Sequence, residues 1–207
     1  MLRTQLLDST RGRIVNLLRN GGLTADDLSS RLTLTTNAIR DHLAKMERDG
    51  VVRRAGQRPG TTRPAYVFEL TTEIEQLLSQ AYFPVLTHLV RVFASTVSPE
   101  QVNALMRQVG KSLAADLSPK RRPASTRSRV VLASRVLNKQ LGAVTHVEAN
   151  GTYVIRGSSC PLAALTGKHP SVCLAVESLV SEVVGRPAQE CCDRSARPRC
   201  CFTINRS

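Results

Sequence analysis

The segment TADDLSSRLTLTTNAIRDHLAKMERDGVV, residues 24–52, carries the pattern that decides the fold of the N-terminal part of the chain. Thr24 precedes Ala-Asp-Asp, as an N-cap residue does, and the leucines that follow predict a short helix. A second helix is predicted over residues 35–49, because apolar residues recur there at helical spacing and Gly50 ends the pattern. Two short helices joined by a tight turn indicate a helix-turn-helix.

The flanking segments complete a larger motif. A helix is predicted over residues 4–20, before the helix-turn-helix. After it, residues 51–54 start a strand, residues 56–63 form a polar loop with two glycines, and residues 65–70 form a second strand. This order of elements is that of a winged helix-turn-helix, which we place in residues 1–70.

The outward face of the second helix of this motif carries short polar, amide and cationic side chains, which are the groups that read base edges in the major groove. The wing adds arginines with no acidic residue among them, which suits contact with phosphate. A solvated basic face on an ordinary helical hairpin is the alternative. The predicted DNA-binding residues are Thr36, Asn37, Arg40, Lys45, Arg54, Arg58 and Arg63.

Two longer helices are predicted next, over residues 71–95 and 98–117. Pro84 is expected to kink the first, and Ser98 followed by proline marks the start of the second. Together they carry more apolar surface than a small winged helix can cover. We therefore predict that residues 71–117 are a helical dimerisation region, with a monomeric intramolecular bundle as the alternative.

A basic segment rich in serine and proline, residues 118–129, is predicted to be a linker. Residues 130–207 are the predicted second domain. It begins with a helix over residues 130–141 and two strands, 144–148 and 152–156, joined by an Asn-Gly turn. Two more helices and closing strands follow, so the whole chain is predicted to be an α+β protein.

Charge narrows the class of partner. The chain has 207 residues and a formal net charge of +13. Such an excess favours a polyanionic partner, most often nucleic acid and less often an anionic membrane surface. We find no secretory segment and no apolar run as long as a membrane span, so the expected location is cytoplasmic. No nucleophile, base and orienting group stand together in the sequence, and we predict that the protein is not an enzyme.

All six cysteines of the chain fall in its last quarter. In a cytosolic protein, clustered cysteines indicate metal binding or redox activity rather than a disulfide framework. Cys160 is predicted to be the N-cap of a short helix, and Cys173 lies in the first turn of a longer one. We expect both positions to lower the pKa of the thiol, because helix N-termini favour negative charge.

The last cysteines form two adjacent pairs, residues 191–192 and 200–201. The second pair lies in a predicted strand over residues 199–204. Alternation along that strand places Cys200 on one face and Cys201 on the other, so at most one of the two points at a given ligand. We favour Cys200.

Both halves of the chain resemble the SufR-type winged-helix regulators of iron–sulfur assembly genes, which have an ArsR/DeoR-like DNA-binding domain. In the N-terminal half, the similar segments are NAIRDHL (37–43), DGVV (49–52), RPAY (63–66) and LT (70–71). In the C-terminal half they are CP (160–161), the twelve-residue gap to Cys173, and RCC (199–201).

The resemblance implies a cytosolic homodimer that binds a paired or palindromic operator in double-stranded DNA. It also implies an iron–sulfur cluster, usually [4Fe–4S], and repression of cluster-assembly genes when the cluster is bound. Carried over by residue, the ligands are Cys160, Cys173 and Cys200. Cys191 and Cys192 lie closer to the C-terminal pair than the third cysteine does in the family. The fourth ligand is therefore open among Cys192, Cys201, His169 and a small molecule, and we place Cys192 there.

Two alternatives to this interpretation remain. The cysteines could hold a [2Fe–2S] cluster or zinc, or act as a thiol switch in a winged-helix regulator, because four thiolates suit tetrahedral zinc and paired cysteines suit disulfide exchange. They could also be buried core residues in a regulator that senses a small molecule without metal.

Overall fold

The computed structural model describes residues 8–59 and 64–205, and the chain divides into two compact units between residues 82 and 83. The elements of the first unit are helices α1 (Thr10–Leu18), α2 (Ala25–Leu32), α3 (Thr36–Arg48) and α4 (Thr72–Leu78) and strands β1 (Leu23–Thr24), β2 (Val52–Arg58) and β3 (Ala65–Leu70). The strands form one antiparallel sheet in the order β1-β3-β2.

The helix-turn-helix of the first unit is α2 and α3. Thr24 caps α2 through a reciprocal pair of hydrogen bonds: the amide of Asp27 donates to the Thr24 hydroxyl at 3.1 Å, and the amide of Thr24 donates to the Asp27 carboxylate at 2.9 Å. Ile39, Leu43 and Met46 on α3 are fully buried, as their spacing predicts. The predicted winged helix-turn-helix is confirmed.

The wing is longer than predicted. Strand β2 continues to Arg58, so the first three residues of the predicted polar loop belong to the sheet and pair with β3. A bulge lies between Arg54 and Gly56, where Gly56 adopts a φ of 156°. Arg63, the last of the predicted wing contacts, lies outside the described residues.

The prediction of a single helix over residues 71–95 is wrong. The chain forms α4, ends it at Leu78, and starts α5 (Tyr82–Thr96) after Ser79 takes an extended conformation. Pro84 explains the break, because its ring would clash with the carbonyl four residues earlier and it has no amide to donate. In the first turn of α5 neither restriction matters.

The second unit pairs a helical layer with a four-stranded sheet. Its helices are α5, α6 (Pro99–Leu117), α7 (Thr126–Leu141), α8 (Ala163–Thr166), a 3₁₀ turn (Pro170–Val172) and α9 (Cys173–Val184). Its strands are β4 (Thr145–Asn150), β5 (Thr152–Gly157), β6 (Ala188–Glu190) and β7 (Cys201–Ile204), antiparallel in the order β4-β5-β7-β6. The predicted α+β class is confirmed.

One boundary in this unit differs from the sequence prediction. Helix α7 starts at Thr126 rather than residue 130, because the Ser125 hydroxyl accepts a hydrogen bond from the amide of Ser128. Its first turn therefore takes up the end of the predicted linker. The predicted Asn-Gly turn does join β4 and β5, with Gly151 at a φ of 78°.

The core of the second unit holds α9 against the sheet. Leu179 and Val183 of α9 are fully buried, together with Ile155 of β5 and Phe202 of β7. Helix α6 packs on the other side of α9, where Gly110 leaves no room for a Cβ atom beside the backbone of Ala175. This close packing fixes the start of α9, which carries Cys173. Among the described residues, no helix is both long and apolar enough to cross a membrane.

Candidate functional site

Helix α3 presents most of its predicted DNA-reading side chains to solvent. Asn37, Arg40 and Lys45 are exposed. Thr36 is half-buried, and its hydroxyl donates to the Ser29 hydroxyl at 3.3 Å. The N-terminal part of α3 therefore offers one free amide and a cation one turn further on.

Arg54 and Arg58 of the wing are paired with acids from the helices, which the sequence prediction missed. Arg54 lies 3.1 Å from Glu47 and stacks over the Tyr66 ring at 4.6 Å. Arg58 lies 3.2 Å from Asp27. Exposed pairs of this kind contribute only about 0–1 kcal/mol, so a phosphate group can displace the carboxylates at small cost.

Arg40 and Arg54 also line one cleft of about 390 Å³ between α3 and the wing. Acidic residues from α2 and α3 line the same cleft. Helix α3 and the wing therefore form one continuous concave surface within the first unit.

The second site is a group of thiols at one end of the sheet in the second unit. Cys160 follows β5, Cys173 is the first residue of α9, Cys192 follows β6, and Cys200 immediately precedes β7. These four are the free cysteines of the chain. The remaining two, Cys191 and Cys201, form a disulfide.

Cys200 lies at the centre of this group. Its side chain shares hydrogen bonds with the thiols of both Cys160 and Cys192. Cys173 is close enough for charge on either of those two sulfurs to disfavour its own thiolate. We call these four residues the thiol cluster.

The disulfide corrects one part of the sequence analysis. Clustered cysteines were expected to bind metal or exchange electrons rather than to cross-link the fold, yet one residue of each adjacent pair is cross-linked to the other. Cys201 therefore has no free thiol, which removes it from the candidates for the fourth ligand. Cys192 shares a hydrogen bond with Cys200, and its role as a ligand stays a prediction.

The thiols of the cluster differ widely in acidity. The hydrogen bond from Cys200 lowers the pKa of Cys160 to about 6, and a hydrogen bond from the amide of Leu162 acts in the same direction. Burial of Cys160 opposes both by raising its pKa. The same donor lowers the pKa of Cys192. Because the protonated Cys200 thiol is the hydrogen-bond donor to these neighbours and is also buried, its own pKa is raised far above the usual value.

Two predictions about helix N-termini are wrong. Cys160 does not cap a helix, since α8 begins at Ala163 with Leu162 at the cap, although a backbone amide still reaches its sulfur. Cys173 does start α9, but burial raises its pKa to about 12, with the charge of Glu190 as the next cause. The 3₁₀ turn runs directly into α9, so the helix offers no open end at this residue.

Glu190 is a neighbour of the cluster that the sequence analysis missed. Its carboxylate accepts two hydrogen bonds from Arg194, both at 2.7 Å. Its charge raises the pKa of three of the four thiols. Alternation along β6 could have indicated it, because Glu190 and Cys192 are two residues apart and share a face.

Within the described ranges, no three or more histidine, cysteine or acidic side chains already stand in a metal-binding arrangement. Three of the sulfurs instead interact through the hydrogen bonds of Cys200 with Cys160 and Cys192. His169, the other candidate for the fourth ligand, is half-buried just before the 3₁₀ turn.

Comparison with known proteins supports the first site. Residues 8–54 match the sequence model of the family described as "Bacterial regulatory protein, arsR family". The first unit carries an arsR-family DNA-binding domain. The matched residues end within β2 and so include the complete helix-turn-helix of this arsR-family domain. A search of curated protein sequences finds no match.

Three solved structures are similar to the chain. A mutant of ZitR from Lactococcus lactis in its apo form is 14% identical, with a TM-score of 0.30, over 49% of this chain and 77% of that one. A mutant of MepR from a multidrug-resistant S. aureus clinical isolate is 20% identical, with a TM-score of 0.30, over 52% and 77%. PadR from Bacillus subtilis in complex with operator DNA is 17% identical, with a TM-score of 0.29, over 82% and 96%. At these TM-scores the three likenesses carry no argument.

The arsR-family domain gives the first prediction. Asn37→Ala and Arg40→Ala should each weaken binding to a duplex selected from a random-sequence pool by roughly 5- to 150-fold, the range of about 1–3 kcal/mol for a bidentate base contact. Lys139→Ala removes one exposed positive charge from the second unit and is the matched control. Fluorescence anisotropy measures all three. Equal affinities for Arg40→Ala, Asn37→Ala and Lys139→Ala would contradict the assignment of α3.

The acidity of the thiol cluster gives the second prediction. In metal-free protein, the rate at which iodoacetamide alkylates Cys160 should rise with pH around about 6, because only the thiolate reacts. Cys200→Ala removes the donor and should move this profile toward higher pH. Cys200→Ser keeps a donor and should move it less. Peptide mass spectrometry follows the reaction. If Cys200→Ala leaves the pH dependence of Cys160 alkylation unchanged, the hydrogen bond between the two thiols is refuted.

Proposed function

We propose that the chain is a DNA-binding transcriptional repressor controlled by a metal centre, an iron–sulfur cluster of the [4Fe–4S] type, on Cys160, Cys173, Cys192 and Cys200. One observation carries the proposal: the four cysteines that remain free are the four whose side chains interact in one cluster. Three of them are the ligands that the resemblance implies, and the fourth is the one chosen from the open candidates.

The chemistry of the donor set fits such a centre. Four cysteine thiolates are the common ligand set of both [2Fe–2S] and [4Fe–4S] clusters. Gly157 packs closely beside Cys200, where an added Cβ atom would lie 3.0 Å from the Ser159 carbonyl oxygen and 3.3 Å from the Cys200 Cβ. The two lowered thiol pKa values at Cys160 and Cys192 favour thiolates where the ligands must be deprotonated.

To bind the centre, the protein must lose thiol protons and the hydrogen bonds between its thiols. Cys200 and Cys173 hold their protons strongly, and the hydrogen bonds from Cys200 are lost when it becomes a ligand. Binding therefore releases protons, rearranges the side chains and depends on pH.

When bound, an iron–sulfur cluster supplies a redox-active and oxidant-labile group whose loss can be sensed. Around it, the chain's own residues define two states of the second unit. In one state Cys200 bonds to its neighbours, and in the other all four sulfurs are ligands. Regulation requires that these states differ in DNA affinity, since a ligand shifts an equilibrium only by its differential affinity.

A homodimer is part of the proposal. Helix α5 exposes a row of large apolar side chains, including Phe83, Val85, Leu89 and Val92. An apolar face of this kind is unusual on a monomer and typical of an interface. A two-fold dimer would also place two copies of α3 on the paired half-sites of a palindrome.

Two other occupants of the second unit follow from specific features. Zinc takes the same four thiolates in a tetrahedron, so it competes for the same site. An apolar cleft of about 340 Å³, lined by α5, α6 and α9 and by Pro161 and Leu162, is large enough for a small hydrophobic molecule. A regulator that senses such a molecule needs no metal.

Metal analysis of the anaerobically purified protein tests the proposal. We expect iron and acid-labile sulfide, and a broad absorption band that Cys160→Ala, Cys173→Ala, Cys192→Ala and Cys200→Ala each abolish. Each substitution removes one ligand from a set that has no spare. Zinc in place of iron would support the tetrahedral alternative. A colourless protein that takes up neither metal after reconstitution would exclude a metal centre.

A further inference from the structure

The disulfide joins the two strands that carry half of the thiol cluster. Glu190 of β6 lies opposite Phe202 of β7, and the same register continues to an isolated bridge between Asp193 and Arg199. Cys191 is thus opposite Cys201, and Cys192 is opposite Cys200. Alternation then sends the two opposed pairs to opposite sides of the hairpin.

One pair forms the disulfide and the other belongs to the thiol cluster. The backbone ties them together. The amide of Cys191 donates to the Cys201 carbonyl at 2.8 Å, the amide of Cys201 donates to the Cys192 sulfur at 3.2 Å, and the Cys192 thiol donates back to the Cys201 carbonyl at 3.5 Å. Any movement of Cys191 relative to Cys201 therefore moves Cys192 relative to Cys200.

Past Cys192 and Cys200, toward the loop, few bonds hold the hairpin closed. Beyond the disulfide, two backbone hydrogen bonds between Asp193 and Arg199, at 3.1 and 2.8 Å, close an exposed loop over residues 194–198. The Asp193 side chain is used within the loop, where it accepts hydrogen bonds from Ser195. None of these bonds is buried, so water competes with each of them.

The disulfide can be reached from solvent on one side. Cys191 is exposed while Cys201 is buried. A pocket of about 170 Å³ opens beside them, and its lining includes two arginines, Arg156 and Arg199, and one acid, Asp193. Positive charge next to an exposed sulfur favours the approach of an attacking thiolate.

We propose that Cys191–Cys201 is a site of reversible thiol–disulfide exchange, and that its oxidised form holds Cys192 and Cys200 together as ligands. The metal part of this inference rests on the proposed function. The conformational part does not.

The exchange is balanced with a dithiol reductant. Its thiolate attacks the exposed Cys191 sulfur, the bond between the two cysteine sulfurs breaks, and Cys201 leaves as a thiolate that takes up the proton lost by the reductant. The second thiol of the reductant then displaces Cys191 from the mixed disulfide and protonates it. Overall, one protein disulfide and one dithiol become two protein thiols and one reductant disulfide.

Reduction frees the hairpin to open at its loop end. The residues that lose their restraint are the ones next to Cys192 and Cys200, while Cys160 and Cys173 stand on other elements. Cys200 stays tied to the β5 side, because the amide of Gly157 donates to the Cys200 carbonyl at 2.7 Å and the amide of Cys200 donates to the Ser159 carbonyl at 3.5 Å. Reduction therefore chiefly frees Cys192 to move away from the other three ligands. Disulfides of cytosolic proteins are most often redox sensors, which agrees with this role.

The test compares the full-length protein with the Cys191→Ala, Cys201→Ala double variant, which keeps all four cluster thiols. Both are equilibrated, free of metal, in dithiothreitol buffers of graded redox poise. Peptide mass spectrometry then measures the disulfide, hydrogen exchange measures the amides of residues 191–201, and competition with a chelating dye measures zinc affinity. We expect one reversible transition in the natural chain. On reduction, amide exchange should accelerate and zinc affinity should fall, each by about tenfold, a usual size for coupling between two sites.

The double variant should behave like the reduced natural chain in every buffer. If no 191–201 linked peptide forms, or if reduction leaves both amide exchange and zinc affinity unchanged, the inference is overturned. If amide exchange responds to reduction while neither form takes up zinc or iron, the conformational clamp stands and the metal centre of the proposed function is rejected.

Discussion

Side-chain alternation at the start of β7 is the constraint on which the second unit depends. Cys200 and Cys201 are adjacent in sequence, so a strand must send them to opposite sides. Cys200 is thereby placed among the thiols of Cys160 and Cys192, and Cys201 is left to meet Cys191. A helix at this position would not send adjacent side chains to opposite sides. The six cysteines would then not divide into a disulfide and a thiol cluster.

The two units use electrostatics in opposite ways. In the arsR-family domain, exposed arginines are paired with carboxylates in water, where each pair is weak and phosphate can replace it. In the thiol cluster, hydrogen bonds between thiols lower the pKa of Cys160 to about 6, burial raises that of Cys173 to about 12, and both effects raise the pKa of Cys200. The first arrangement suits rapid exchange with a polyanion, and the second suits a site that changes state when protons leave.

Sequence reasoning recovered those features that local chemistry determines. The cap at Thr24, the buried stripe of α3 and the Asn-Gly turn all depend on residues within a few positions of each other, and the structure confirms them. Strand alternation also separated Cys200 from Cys201, as observed, while the set Cys160, Cys173, Cys192 and Cys200 came from the family resemblance and a choice among open candidates. Whether these residues bind metal stays a prediction.

The features it missed depend on distant contacts. The acids that pair with Arg54 and Arg58 come from other elements, and the disulfide depends on a hairpin register that only the folded sheet fixes. The pKa of Cys173 is raised rather than lowered, because burial by the surrounding core outweighs any effect of the helix start. The sequence analysis does identify Pro84 as a disturbance of the helix. It predicts a kink there, whereas the structure has a complete break before α5.

The central claim is that the occupancy of the thiol cluster changes the affinity of the arsR-family domain for DNA. The most direct measurement titrates one selected duplex with a single preparation of the protein, first loaded anaerobically and then after the metal is removed by a chelator. The account predicts that the loaded form binds the duplex more tightly by about 5- to 150-fold, the usual range of allosteric coupling. Equal affinities for the two forms would contradict it and would leave a DNA-binding protein whose thiol cluster has no part in regulation.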